Sequence, residues 1–414
     1  MTNDNQHIPS GYKPSPLGPI PEDWEVKRLG DIAEITSGTT PSRNNSLFYS
    51  NGTIPWVKTT DLNNDVLNKT EESVTEAAVE QTSLRLLPTG TVLVAMYGGF
   101  NQIGRTALLG INATVNQALS ALVCKQGVLN SYVLAWLNCK VGDWKRLAAS
   151  SRKDPNITGK DVERFPILIP KTEEQQRIVS VLSLWDTAIA KQTVLIEQLT
   201  LRKRGLMQQL LTGKKRLKGF GGEWKRIPIK DFAKEVSIRN SNHEDHIVLS
   251  CTKYDGLVPS LEYFGKQIYS DDLSSYKIIP QGHFAYATNH IEEGSIGYQS
   301  KYEQGLISPM YTVFITDKEI VNDTFLFAVL KSHHLIHLYK SMMEGSINRR
   351  GGLRWNSFST IKIELPSLDE QTAIASVLVN ADKGIEIQKQ KLTAMQAQKK
   401  GLMQVLLTGK RKIK

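Results

Sequence analysis

A chain of 414 residues with 40% hydrophobic and 22% charged residues can bury two or three cores, which excludes a disordered or fibrous protein. The opening stretch to Trp24 is polar and proline-rich, and no run of eighteen apolar residues occurs. The chain therefore reads as soluble and cytoplasmic, with no membrane span and no secretory leader.

The formal charge of +10 suggests a polyanionic partner, yet the placement of charge says more than its total. Arg202, Lys203, Arg204, Lys214, Lys215, Arg216 and Lys218 form one acid-free basic stretch, and Lys399, Lys400, Lys410, Arg411, Lys412 and Lys414 form another. Together they exceed the net charge, so the rest of the chain is slightly acidic. A protein that bound DNA strongly by itself would spread cations over its reading surfaces, because phosphate neutralisation supplies most non-specific affinity. This pattern points to help from partners. Cys124, Cys139 and Cys251 are odd in number and far apart, which leaves neither a disulfide framework nor a CxxC zinc site, and they are expected as buried small hydrophobes.

In chain order, residues 1–168 form a first expected domain. It carries Trp24, Asp31 and Ala33, polar loops from Thr39 to Asn45 and from Lys58 to Asp61, and a glycine-bounded stretch from Gly98 to Arg105. A helix is expected from Asn130 to about Ser150. Residues 169–217 then place Ile178, Leu182, Trp185, Ile189, Ile196, Leu199, Leu206 and Leu210 at spacings of three and four, the pattern of a coiled-coil seam. Thr172 is the expected N-cap, Glu173 and Glu174 favour the positive helix end, and Gly213 closes the helix. At about 38 residues it would span roughly 57 Å, longer than its own domain needs for packing, so it is read as a spacer.

Residues 218–364 repeat the first domain loosely. Trp224, Asp231 and Ala233 answer Trp24, Asp31 and Ala33; Pro280-x-Gly282 answers Pro88-x-Gly90; and a helix from Asn322 to about Met342 answers the one at Asn130. Residues 365–414 repeat the spacer closely: Pro170 to Lys214 aligns without a gap on Pro366 to Lys410, and both copies end in Leu-Leu-Thr-Gly-Lys. The second seam is Ile374, Leu378, Ala381, Ile385, Leu392, Met395, Leu402 and Leu406, with Asp369 as expected N-cap and Gly409 as terminator. Polar Gln192 and Gln388 interrupt the two seams at equivalent places. In an antiparallel pair they would approach each other near the centre, where a hydrogen-bonded layer could fix register; tolerance of glutamine on a partly exposed seam explains them equally well. The expected fold is α+β: two similar globular domains separated by an antiparallel coiled coil of two long helices with approximate two-fold symmetry.

This order resembles the specificity subunits of type I restriction-modification enzymes. The motifs that carry the resemblance are Pro-x-Asp-Trp-x-x-x-x-Leu-Gly-Asp at 21 to 31, Ile54-Pro55-Trp56, Pro170-x-x-x-Glu174-Gln175 and the Leu-Leu-Thr-Gly closures at 210 to 213 and 406 to 409. The resemblance implies two target recognition domains that read a bipartite, asymmetric sequence in double-stranded DNA for two methylation subunits and for motor-nuclease subunits. It also implies that S-adenosylmethionine, ATP and Mg act on those partners, with no cofactor in this chain. Two heads on such a rod would suit major-groove segments about one turn, roughly 34 Å, apart.

Base contacts are expected from polar and cationic side chains on loops, because such surfaces vary with the target. Arg43 and Asn44, Lys58, Thr59 and Thr60, Asn101, Gln102 and Arg105, and Arg152 and Lys153 bring donors and acceptors suited to phosphates and base edges in the first domain. In the second, the run from Asn348 to Arg354 contains Arg349, Arg350 and Arg354 beside glycines that permit close backbone approach, while Lys253, Tyr254, Asn289 and His290 are secondary candidates. A solvated loop explains any single one of these about as well.

The sequence carries no recognisable catalytic constellation. There is no P-loop, no GxGxxG after a strand and no Asn/Asp-Pro-Pro-aromatic motif for a flipped adenine, and Glu25-Val26-Lys27 lacks the upstream Pro-Asp of a nuclease. His333, His334 and His337 lack a further ligand at metal-binding spacing and read as an exposed helix end, so no metal is expected. Two other functions fit a duplicated chain of this kind: a coiled-coil scaffold that never touches DNA, and a free-standing sequence-specific regulator.

Overall fold

The computed structural model describes residues 8–149, 156–344 and 352–413. It divides into two compact units, one made of Met1–Thr193 with Gln390–Lys414 and the other of Val194–Lys389. Each unit therefore combines a globular domain with the beginning of one long helix and the end of the other.

The first unit is organised by a five-stranded sheet in the order Ala33–Ser37, Leu119–Cys124, Val92–Ala95, Thr106–Leu109, Val66–Leu67. Val92–Ala95 is buried at every position, as expected of a central strand covered on both faces. One face packs on the helices Asn130–Cys139 and Val141–Ala149, where Trp136 and Trp144 are fully buried. The single helix expected here is thus two, because the chain breaks at Lys140. A two-stranded ribbon, Glu25–Arg28 with Pro166–Ile169, closes the domain beside the long helix, and Lys27 pairs with Glu25 at 3.0 Å on its exposed edge.

The second unit repeats the plan. Its four-stranded antiparallel sheet runs Ala233–Val236, Tyr311–Thr316, Phe284–Ala287, Ile296–Tyr298, and its closing ribbon is Lys225–Pro228 with Lys362–Leu365. The helix pair is Asp323–Leu330 and His333–Glu344, again where one helix was expected. His333, His334 and His337 are exposed at the start of the latter. An aromatic core of Phe284, Tyr286, Phe314 and Phe358 fills the space under the sheet, with the Phe284 and Phe314 rings stacked at 5.0 Å.

Both long helices have the expected length, Thr172–Leu210 and Leu368–Leu406, 39 residues each. Their starts differ from expectation. Ser367, not Asp369, accepts the Glu370 N–H at 3.3 Å, while the Thr172 hydroxyl donates to the Gly127 carbonyl rather than capping its own helix. A neighbouring acceptor in the domain outcompetes the local cap. Gly213 and Gly409 end the helices with φ of 67° and 70°, in the left-handed region where a Cβ is penalised.

Within each unit the two helix segments run antiparallel. In the first, Ile178 and Leu182 share a core with Leu402 and Leu406, and Asp186 pairs with Lys399. In the second, Leu206 and Leu210 share a core with Ile374 and Leu378, and Lys203 pairs with Asp382 at 2.5 Å. By length and mean hydropathy alone, Thr172–Leu210 could cross a membrane. Its Ile178, Leu182 and Leu210 instead bury in the domain cores, and Lys203 is held in an ion pair.

The helix starts are anchored by the Glu-Gln pair of each repeat. The buried Gln175 amide donates to the Gly127 and Pro170 carbonyls at 3.2 and 2.9 Å and accepts from the Leu129 N–H at 2.9 Å. Gln371 repeats the pattern with Ile320, Pro366 and Asn322 at 3.1, 3.0 and 2.9 Å. The glutamates diverge: Glu174 accepts from the Trp24 indole at 2.9 Å, whereas Glu370 takes a forked pair of bonds from Arg216. Burial pushes the Cys124 thiol up to about 11 and Cys251 up to about 12, so both stay protonated, as small hydrophobes would.

Candidate nucleic-acid interface

Segments singled out separately in the sequence converge at one end of the central sheet in each unit. In the first unit, residues 96–105 connect Val92–Ala95 to Thr106–Leu109. Gly98, at φ 118°, lies so close to the turn at Lys58–Asp61 that a Cβ would stand 3.2 Å from Thr59 Oγ1. The Ile157 N–H donates to the Met96 carbonyl at 2.8 Å, which brings the chain just beyond Ser150 to Asn156 onto the same loop.

The second unit uses equivalent bonds. Residues 288–295 connect Phe284–Ala287 to Ile296–Tyr298, and the Leu353 N–H donates to the Thr288 carbonyl at 2.9 Å. Gly352 has φ 62°, and a Cβ there would lie 2.5 Å from the Thr288 oxygen, so only glycine permits this approach. The hairpin turn bearing Lys253 and Tyr254 joins the group: Ser295 Oγ donates to the Cys251 carbonyl at 3.1 Å, and the Lys253 carbonyl lies beside Gly294.

The charges at the two loop ends differ. In the first unit Arg43 pairs with Glu72 at 2.6 Å and lies over the Tyr49 and Trp56 rings, at 4.7 and 4.9 Å. Lys58 pairs with the same Glu72 at 2.5 Å and with Glu71 at 2.9 Å. The Arg43 guanidinium, and after it the Lys58 ammonium, hold the Glu72 carboxyl below its ordinary range. Arg105 donates to Gln102 Oε1 at 2.8 Å and to the Leu62 carbonyl. Asn44, Thr60 and Asn101 are exposed, and Thr59 is half-buried.

In the second unit Lys253 lies 5.2 Å over the Tyr254 ring, and Tyr254 is 76% exposed. His290 Nδ1 faces Glu293 at 3.3 Å. His290, Glu292 and Glu293 bring ligand atoms within 4.8 Å of one another, a cluster too exposed to argue for a metal by itself. The Arg354 side chain is exposed and forms neither a hydrogen bond nor an ion pair among the described residues, while its carbonyl accepts from the Ser357 and Phe358 N–H groups at 3.1 and 2.9 Å. It borders a groove of about 510 Å³ together with Asn289 and Asn356. Glu235 and Lys277 also line this groove, and Lys277 donates to the Tyr311 carbonyl at 2.6 Å. Burial lowers the Lys277 ammonium pKa, and the Glu235 charge opposes that shift.

Arg152, Lys153, Arg349 and Arg350 lie outside the described residues. Gln192 is buried in the first unit and Gln388 is half-buried in the second. Sequence reasoning missed Glu71, Glu72, Glu235 and Asn356. Asn356 had a signal, two residues beyond Arg354 in the same polar run; the glutamates had none, because their roles follow from partners distant in the chain.

The family model described as the type I restriction modification DNA specificity domain matches residues 21–201 and again 247–397. The specificity subunit of the type I restriction enzyme MjaIX of Methanocaldococcus jannaschii is 32% identical over 197 residues, covering 46% of this chain and 45% of that one. The EcoR124I/EcoR124II specificity subunit of Escherichia coli is 31% identical over 165 residues, 39% and 41% of the two chains. The chain thus spans under half the length of these two relatives. The MjaVIII specificity subunit of M. jannaschii is 24% identical over 95% of this chain and 94% of its own. Among solved structures, one from work on complex assembly and conformational transition of the type I R-M system has a TM-score of 0.62 at 15% identity, covering 95% and 99% of the chains. The S subunit from M. genitalium gives 0.52 at 14% identity over 93% and 96%.

Proposed function

The chain belongs to the type I restriction modification DNA specificity family, and from that premise we propose that it reads a bipartite, asymmetric sequence in double-stranded DNA, one part per globular domain, for partner subunits. Residues 1–168 and 218–364 are the target recognition domains, and 169–217 and 365–414 are the spacer helices. Two methylation subunits bind this scaffold, motor-nuclease subunits join them for cleavage, and S-adenosylmethionine, ATP and Mg act on those partners in the cytoplasm. The chain itself carries out no catalysis.

The observation that supports this reading best is the recurrence of one arrangement with different contents. Both sheets present a connecting loop, a neighbouring turn and a tethered return segment at the same end, held by equivalent bonds from Ile157 to Met96 and from Leu353 to Thr288. Matched frames with unmatched side chains are what two different half-sites require, since positioning is common to both and base contacts are not. Of the cations at the basic helix ends, Lys203, Arg216, Lys399 and Lys412 are held in ion pairs, and the others sit at the ends of the spacer helices rather than on the reading loops. Affinity for phosphates is therefore a property of the assembly. In this reading Gln192 and Gln388 set the register of the helices; exchanging both for leucine with no change in half-site spacing or stability would remove that role.

The test is sequence-specific DNA binding by the chain alone and together with methylation subunits. Weak discrimination alone and tight, specific binding in the complex is the expected result. A complex that binds all sequences equally overturns the proposal in favour of a scaffold that never reads DNA, and full discrimination by the isolated chain favours a free-standing regulator.

A further inference from the structure

The groove in the second unit holds an unusual pairing of chemistries. Arg354 offers a guanidinium fork with no partner among the described residues, and Glu235, on the sheet strand Ala233–Val236, is an exposed carboxylate lining the same groove. No salt bridge joins the two. Lys277, the other cation in the groove, is already committed to the Tyr311 carbonyl. The exposed amides of Asn289 and Asn356 stand at its margin. Among the described residues the first unit has no counterpart to this pairing: position 35, which corresponds to Glu235, is isoleucine, and Arg43, Lys58 and Arg105 spend their donors within the domain.

A guanidinium fork matches the paired acceptors of guanine N7 and O6 in the major groove, and a carboxylate accepts from the cytosine N4 amine. Both partners occur together only on a G·C pair. Resting on the DNA-reading function proposed above, we infer that this groove reads one G·C pair of the second domain's half-site, with Arg354 on the guanine and Glu235 on the cytosine. Gly352 holds Arg354 in place: its left-handed backbone and contact with the Thr288 carbonyl fix the return segment two residues before the arginine.

The experiment uses the full chain assembled with its methylation subunits, on a target identified from the methylated positions in the host genome and then varied one base pair at a time. Glu235→Gln and Arg354→Gln both change exposed side chains, so folding is preserved. Each is expected to relax discrimination about tenfold or more at a single position, the same position for both variants, occupied by G·C in the natural target and confined to one half-site. Unchanged preference at every position overturns the inference while leaving the DNA-reading function intact. Relaxation at two different positions, or at a position occupied by A·T, also overturns it. A wild-type complex with no sequence preference overturns both.

Discussion

At the loop end of the first unit, Arg43 and Lys58 converge on Glu72, and Arg105 turns inward to Gln102 and Leu62. At the same end of the second, Arg354 stands open beside a groove. The frames match closely enough that the Leu353–Thr288 bond repeats the Ile157–Met96 bond, so the contrast is one of side-chain partners and not of architecture. A cation is available to a ligand only when the domain has not already used it. Among the described residues, the loop end of the first domain presents hydroxyls and amides beside engaged cations, and that of the second presents one unpaired guanidinium.

The largest effects test the sameness of the frames. Gln175→Leu and Gln371→Leu each strand a buried N–H and carbonyl groups, and each should cost about 2–3 kcal/mol in urea unfolding of the full chain. A large cost on one side only would break the equivalence. Next, Gly352→Ala forces a Cβ toward the Thr288 oxygen at a positive φ and should destabilise the second unit by about 1–3 kcal/mol, with loss of DNA affinity. The corresponding change in the first unit, Asn156→Ala, should stay within about 0.5 kcal/mol.

Salt dependence sharpens the electrostatic half of the comparison. In the assembled complex, Arg354→Ala should reduce the slope of log affinity against log salt by about 1, whereas Arg43→Ala should leave it unchanged; fluorescence anisotropy titrations read both. The smallest effect is on acidification. The depressed carboxyl of Glu72 contributes stability that is fully present above the ordinary carboxylate range and is lost as pH falls through its lowered value. Both partners are partly exposed, so the loss should stay under about 1 kcal/mol. Hydrogen exchange near residues 40–62 should rise below about pH 4, while residues 352–358 are unaffected, and Glu72→Gln should remove the difference.

The shared frame was legible in the sequence because gapless repetition and heptad spacing record local periodicity. The helix lengths, the Gly213 and Gly409 terminators and the Glu-Gln pairs could all be located there. What escaped depends on contacts across the chain. Arg43 reads as a DNA cation until Glu72, 29 residues away, is found against it, and nothing around Thr172 reveals that its hydroxyl prefers Gly127. Glu235 carries no local mark, because a strand glutamate becomes notable only when Arg354 lines the same groove.

The composition of the first unit has a consequence for how the protein comes off the ribosome. Leu406 and Leu407 belong to its core, the Tyr12 hydroxyl donates to the Gly409 carbonyl at 2.9 Å, and Lys412 pairs with Asp23 at 2.5 Å. Residues 390–414 are translated after the whole of Val194–Lys389. Domains ordinarily fold in the order of synthesis. Here the unit begun first takes in residues 390–414, so its core around Trp24 gains Leu406 and Leu407 only after every residue of the second unit has been made.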